Sequence, residues 1–375
     1  MHLYLHIPYC RKACHYCDFH FSTYLDTRER LIAAMVKEIE LTQAYLPQKK
    51  LTTIYFGGGT PSILTQKELD QLLSTITRFY TLPENIEITL EANPDDLNAT
   101  TLHQFRQAGI NRLSIGIQTF DNEMLRFLNR THTSEQAESV VKLAQDTGID
   151  NLSLDLMYAL PAKDHRRLEQ DLDKFTSLGA NHLSAYCLTI EPKTAFGNWV
   201  ENRKMTPIEE EFAAAQFEIT VSRLAEVGYE QYEISNFARQ EMYSRHNTAY
   251  WQRKPYLGIG PGAHSYDGKF TRHFNVSNNM QYINALEKGA SPATIEELDA
   301  ANQTNEYLLT GLRTKWGCDL ELLETLSGGI FKETRRSQVK ELIAKGWVNI
   351  YENTLTLTES GKLFADRAAL ELFID

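Results

Sequence analysis

Six short stretches of strict apolar–polar alternation, each separated from the next by residues with helical spacing, leave few architectures open to this chain. HLYLHI at 2–7, LTTIYF at 51–56, IEITLE at 86–91, RLSIGI at 112–117, LSLDLM at 152–157 and HLSAYC at 182–187 read as strands. Between them lie candidate helices, among them 28–45 and the stretch carrying Ala137, Val140, Val141 and Ala144 behind the cap candidates Thr133 and Ser134. Strand and helix alternating in this way predict an α/β fold with a parallel sheet and right-handed crossovers.

Parallel strands covered on both faces usually read as unbroken apolar runs, whereas these alternate. One phase holds Leu3, Leu5, Ile7, Ile54, Phe56, Ile88, Leu90, Leu113, Ile115, Leu152 and Leu154, a face suited to packing on helices. The other holds Tyr4, His6, Tyr55, Glu87, Glu91, Ser114, Gln118, Ser153, Asp155, Ser184 and Tyr186. A half-exposed antiparallel sheet would alternate too, but the intervening helices favour a curled parallel sheet with a polar lumen. The expectation is a partial (β/α)6 TIM-like barrel over 1–190, with its chemistry at the carboxyl ends of the strands.

From 191 to 300 the pattern turns irregular and aromatic, with a helix expected over 207–227. From 301 to 375, helices over 304–313, 320–326 and 335–345 precede WVNIYENTLTLTE, a hairpin turning at Glu352 and Asn353. That order predicts a smaller winged-helix-like α+β module. The chain has 375 residues, enough for such a division, and its net charge of −11 without a long basic run argues against a nucleic-acid partner. No stretch approaches a membrane span and no charged leader precedes MHLYLHIP, so a soluble cytoplasmic protein is expected, as a monomer or a homodimer.

Cys10, Cys14 and Cys17 lie in the loop after the first strand, spaced CxxxCxxC; of the five cysteines only Cys187 and Cys318 lie elsewhere, and both are read as packing residues. A clustered, odd set of thiols suggests a metal rather than a disulfide framework. A structural zinc site would need a fourth ligand, for which His6, His15 and His20 are the candidates. Three thiolates on a cubane [4Fe-4S] cluster would instead leave one iron open to a small ligand.

Further strand ends carry polar or glycine-rich signals. Gly57, Gly58, Gly59, Thr60 and Pro61 follow the second strand, as an ordinary tight turn or as a close backbone approach to a ligand. Glu91 in EANP and Gln118 in SIGIQTF close the third and fourth strands, where solvated side chains would do equally well. GIGPGA at 258–263 fits GxGxxA in form, but no convincing strand before it or helix after it supports a dinucleotide site.

Taken with the aromatic Tyr16 before the third cysteine, these motifs resemble the radical SAM superfamily. The resemblance implies that CxxxCxxC holds the cluster and that S-adenosylmethionine chelates the fourth iron, where an electron from the cluster cleaves the sulfonium to a 5′-deoxyadenosyl radical. It implies a cofactor lining of Tyr4, Gly58, Gly59, Thr60, Glu91, Gln118, Arg130 and Asp155, with Arg130 pairing the methionyl carboxylate. Nearly the whole chain is similar to the branch containing oxygen-independent coproporphyrinogen III oxidase, an activity retained as the alternative. Phe19 replaces the further cysteine of those oxidases, and only nine residues precede Cys10. The CDF ending and SRHNTAYW at 244–251 instead resemble the heme chaperones of the branch, with their HNxxYW motif. That implies heme contact by His246, Asn247, Tyr250 and Trp251 and delivery of heme to apo-hemoproteins such as respiratory enzymes. A reading without heme has His246 and Asn247 bracing a loop and Tyr250 and Trp251 in the core. His264 and His273 are secondary candidates, read as structural.

Overall fold

The structure, a computed structural model, describes residues 1–45 and 48–375. Six strands pair in parallel in chain order: β1 (His2–Ile7), β2 (Thr53–Gly58), β3 (Glu87–Ala92), β4 (Arg112–Gln118), β5 (Asn151–Tyr158) and β6 (His182–Cys187). The first and sixth bond to other strands and not to each other, so the barrel is incomplete, in agreement with the sequence. The crossovers run through α1 (Arg28–Thr42), α2 (Gln66–Phe79), α3 (Ala99–Gln107), the short α4 (Asn122–Phe127) with α5 (Ser134–Asp146), and α6 (Arg166–Leu178).

Local chemistry explains these helix starts. Thr65 and Glu68 form a reciprocal capping box on α2, and Thr133 with Gln136 does the same on α5. Each cap stabilises its helix by about 1 kcal/mol. The helix-facing phase of the strands is fully buried at Leu3, Leu5, Ile7, Leu113, Ile115 and Leu154, against Leu31, Leu69, Leu102 and Val141 of the covering helices.

The segment expected to be irregular extends this sheet. After α7 (Ala195–Glu201) and α8 (Glu210–Glu226), β7 (Glu230–Glu233) and β8 (Asn236–Ala238) add antiparallel strands beyond β6. After α9 (Arg245–Trp251), β9 (Tyr256–Ile259) joins β1 in parallel, followed antiparallel by β10 (His264–Tyr266), β11 (Thr271–Asn275) and β12 (Ala293–Glu297), with α10 (Asn279–Glu287) before the last. The sheet thus has twelve strands among the described residues. Strands of three to five residues carry too little alternation to be read from sequence. The GxGxxA segment begins inside β9 and runs into β10 with no helix after it, which excludes a dinucleotide fingerprint.

A separate core forms around Leu308, Leu323, Phe331, Leu342 and Leu355. It unites α11 (Ala300–Leu312), β13 (Cys318–Asp319), α12 (Leu320–Leu326), α13 (Phe331–Thr334), α14 (Arg336–Ala344), β14 (Val348–Tyr351), β15 (Thr354–Leu357) and α15 (Ala365–Glu371). Glu352 and Asn353, both at positive φ, make the hairpin turn at the expected position. No described helix is long and apolar enough to cross a membrane.

Candidate functional site

The cysteine loop leaves β1 and is sewn to its surroundings by backbone. Cys10 N–H donates to Ser22 O at 3.0 Å, His15 N–H to Leu128 O at 3.2 Å, and Phe196 N–H to His15 O at 3.0 Å. Arg11 reaches the buried carboxylate of Asp96 at 2.8 Å, which also accepts from Ser62 Oγ at 2.8 Å. Together these bonds hold the loop over the carboxyl ends of β1, β3 and β4.

Cys10, Cys14 and Cys17 are all half-buried and free of disulfides. Burial pushes the Cys10 thiol up and the Cys17 thiol up to about 11. Soft thiols in such surroundings become thiolates when a cation meets them, as iron would. Among the described residues no three His, Cys, Asp or Glu side chains converge tightly enough for a single ion. The zinc candidates are engaged elsewhere: His6 Nε2 with His20 O, His15 Nδ1 with Phe127 O, and His20 Nε2 with Asn279 Oδ1.

A polar relay links two of the thiols across the strand tips. Thr60 Oγ1 donates to Cys10 Sγ at 3.2 Å and accepts from Asn93 Nδ2 at 3.3 Å. Asn93 Oδ1 accepts from Arg130 Nη2 at 2.6 Å, and Arg130 Nη1 points to Cys14 Sγ at 3.5 Å. Arg130 Nη2 also donates to Gly116 O at 2.6 Å, while Arg130 Nε is buried without a partner. An unsatisfied guanidinium nitrogen beside the thiols suits a ligand carboxylate. Gln118, two residues on from Gly116, has a φ of 71° at an irregularity in the β4–β5 pairing.

The glycines between Phe56 and Thr60 let backbone come close. A Cβ at Gly57 would lie 2.9 Å from atoms of both Tyr4 and Tyr55, and one at Gly59 would lie 2.8 Å from the backbone of Tyr9. Gly58 N–H donates to Glu91 Oε2 at 3.1 Å, and Tyr55 OH to Glu91 Oε1 at 2.7 Å. Burial pushes Glu91 up to about 7 against these two bonds, and Asp155 up to about 6 despite its bonds from Ser184 and Ser114. Two carboxyls that hold or release a proton near neutrality thus face the lumen.

Beside this tip region opens a cavity of about 520 Å³, within the range of small-molecule sites. Tyr4, His6, Tyr55 and Glu91 from the barrel line one side, Asn247, Tyr250 and Trp251 from α9 another. Glu87 anchors α9: its carboxylate accepts from the N–H groups of Arg245 and His246 at 3.1 and 3.0 Å, the favourable end of the helix dipole. Ser244 caps the same turn through Asn247 N–H.

His246 reaches this wall, but it is fully buried and both ring nitrogens are committed. Nδ1 bonds Thr53 Oγ1 at 2.6 Å and Nε2 bonds Tyr250 OH at 2.9 Å, with the ring stacked on Tyr55. In this arrangement His246 orients Tyr250, and neither of its ring nitrogens is left open. Tyr250 is held at both edges, by His246 and by a T-shaped contact with Tyr256, and the indole N–H of Trp251 is buried and unpartnered. Asn93, Asp96 and Glu87 are the polar residues that sequence reasoning missed. Asn93 lies in EANP, and period two puts Glu87 on the lumen face, yet nothing in either signal distinguishes a relay from a solvated side chain.

The radical SAM superfamily profile matches residues 4–175 and the HemN C-terminal domain profile matches residues 298–364. The heme chaperone HemW of Bacillus subtilis is 36% identical over 97% of this chain and 96% of its own. That of Escherichia coli is 32% identical over 99% and 97%. Among solved structures, the radical SAM enzyme coproporphyrinogen III oxidase HemN of Escherichia coli superposes with a TM-score of 0.84 at 22% identity, covering 99% of this chain and 89% of that one, a likeness of fold.

Proposed function

Because the chain belongs to the HemW family of radical SAM proteins, we propose that it is a heme chaperone that binds heme and transfers it to apo-hemoproteins. In this reading Cys10, Cys14 and Cys17 would hold a [4Fe-4S] cluster, with S-adenosylmethionine as its companion cofactor. The cluster supplies a low-potential electron next to the sulfonium when both are bound. The chain's own part is placement. Arg130, whose Nε is buried and unpartnered, would pair a ligand carboxylate, Thr60 and Asn93 keep the relay in register, and Glu91 and Asp155 would accept from hydroxyl groups on the lumen side. Cytoplasmic residence suits a protein whose five cysteines are all free.

The observation that carries the heme reading is the cavity itself. Its aromatic walls suit a flat macrocycle, and Arg253 in its lining suits an acidic substituent, while Arg272 there is already paired with Glu306. Anaerobic reconstitution followed by heme titration tests it. Equal amounts of iron and sulfide, a Soret band saturating near one heme per chain, and weaker uptake by Tyr250→Ala and Trp251→Ala are expected. Absence of a bound-heme Soret band at any ratio would remove heme from the function.

A further inference from the structure

We infer that His264 is the imidazole that meets the metal of the macrocycle in the aromatic cavity, an inference that rests on the heme reading and adds its iron-facing side chain. Three histidines line the cavity: His6, His246 and His264. His6 spends Nδ1 on Tyr4 OH at 3.1 Å and Nε2 on His20 O at 3.1 Å, and His246 spends both nitrogens on Thr53 and Tyr250. Neither ring nitrogen of His264 bonds any described residue, and the ring is exposed, resting on Phe274 at 5.8 Å between centroids. A neutral imidazole with an open lone pair is a ligand for iron, while one used twice is not.

The backbone under His264 is fixed in the way a ligand-holding residue requires. The preceding loop carries Gly260 at φ 108° and Gly262 at φ 74°. A Cβ at Gly260 would come within 2.5 Å of His6 O, so the loop lies flat on β1. Buried Glu38 accepts from Gly260 N–H at 2.8 Å and Asn275 Nδ2 at 2.6 Å, and Asn275 also donates to Gly260 O. His264 then opens β10, opposite Phe274 of β11. Side chains on so constrained a scaffold need little reorganisation to bind.

Titration of hemin and of metal-free protoporphyrin IX into the cluster-loaded wild type and His264→Gln separates the metal bond from macrocycle binding. The wild type is expected to hold hemin about tenfold tighter than protoporphyrin, and His264→Gln to hold the two alike. The variant's hemin Soret and electron paramagnetic resonance spectra should shift and return on adding imidazole. His246→Gln should weaken both macrocycles together, as a brace of the wall would. Equal affinity of the wild type for both macrocycles, or identical hemin spectra in wild type and His264→Gln, overturns the assignment. Failure of the wild type to bind either macrocycle overturns the heme reading beneath it.

Discussion

Single side chains here do chemistry that their neighbours set up, and Glu38 shows how far burial shifts them. It sits on α1 with no ion pair among the described residues, accepting from Tyr282 OH at 2.5 Å, Gly260 N–H and Asn275. Burial nonetheless pushes it from 4.5 up to about 7. A carboxyl raised on folding contributes stability that is full below pH 4.5 and disappears as pH rises through about 7. The ionised form is therefore penalised in mildly alkaline buffer, by up to about 3 kcal/mol. Denaturation of wild type and Glu38→Gln should show their stability difference moving against the wild type between about pH 5 and about pH 8. A difference that stays flat over that window contradicts a buried, raised Glu38. At the same scale, His246 illustrates what residue identity conceals: a histidine in a binding motif is a ligand or a brace according to what its two nitrogens already hold.

Elements place these side chains, and α9 does so at a cost. Past the end of α9, Arg253 has a φ of 54°, the left-handed position after a helix where glycine is favoured. Lys254 N–H closes back on Ala249 O at 2.9 Å, so the turn is a helix stop and not a loose end. In this conformation Arg253 reaches Tyr266 OH at 3.0 Å on the cavity rim, with its Nε buried and unpartnered. Arg253→Gly should release the strain and raise stability by about 1 kcal/mol, read from chemical denaturation. Heme affinity should fall in the same variant, because the rim loses a cation for acidic substituents. Lower stability together with unchanged heme uptake would show that the arginine's packing, and not its strain, dominates at this site.

At the scale of the molecule, the barrel stays open between β1 and β6, and added strands extend both edges. Strands β9 to β12 continue the sheet past β1, and β8 and β7 past β6, so the cavity forms between barrel and added strands. The carboxy-terminal unit completes its wall through Glu306 and Thr310 of α11. The two parts are joined by Arg313, whose Nε meets the buried Glu233 carboxylate at 3.1 Å and whose carbonyl accepts from Ile234 N–H at 3.0 Å. Arg313→Ala leaves Glu233 with only Ser235 N–H and Asn236, and should cost about 2 kcal/mol. Limited proteolysis between the two parts should quicken; an unaltered cleavage rate and denaturation midpoint would place the junction's strength elsewhere.

Period two in six stretches, helical spacing between them, and CxxxCxxC after the first strand were enough for the α/β class, the incomplete barrel and the loop in which the thiols sit. These are local signals, each carried within about ten residues, and local spacing survives in a linear text. The hairpin at Glu352 and Asn353 was legible for the same reason. The cavity was not, because its walls come from Tyr4, Glu91, Tyr250, His264 and Glu306, residues brought together by strand pairing over hundreds of positions. Whether a histidine is open or spent depends on partners such as Thr53 and Tyr250, which only packing supplies, so the difference between His246 and His264 belongs to tertiary structure alone.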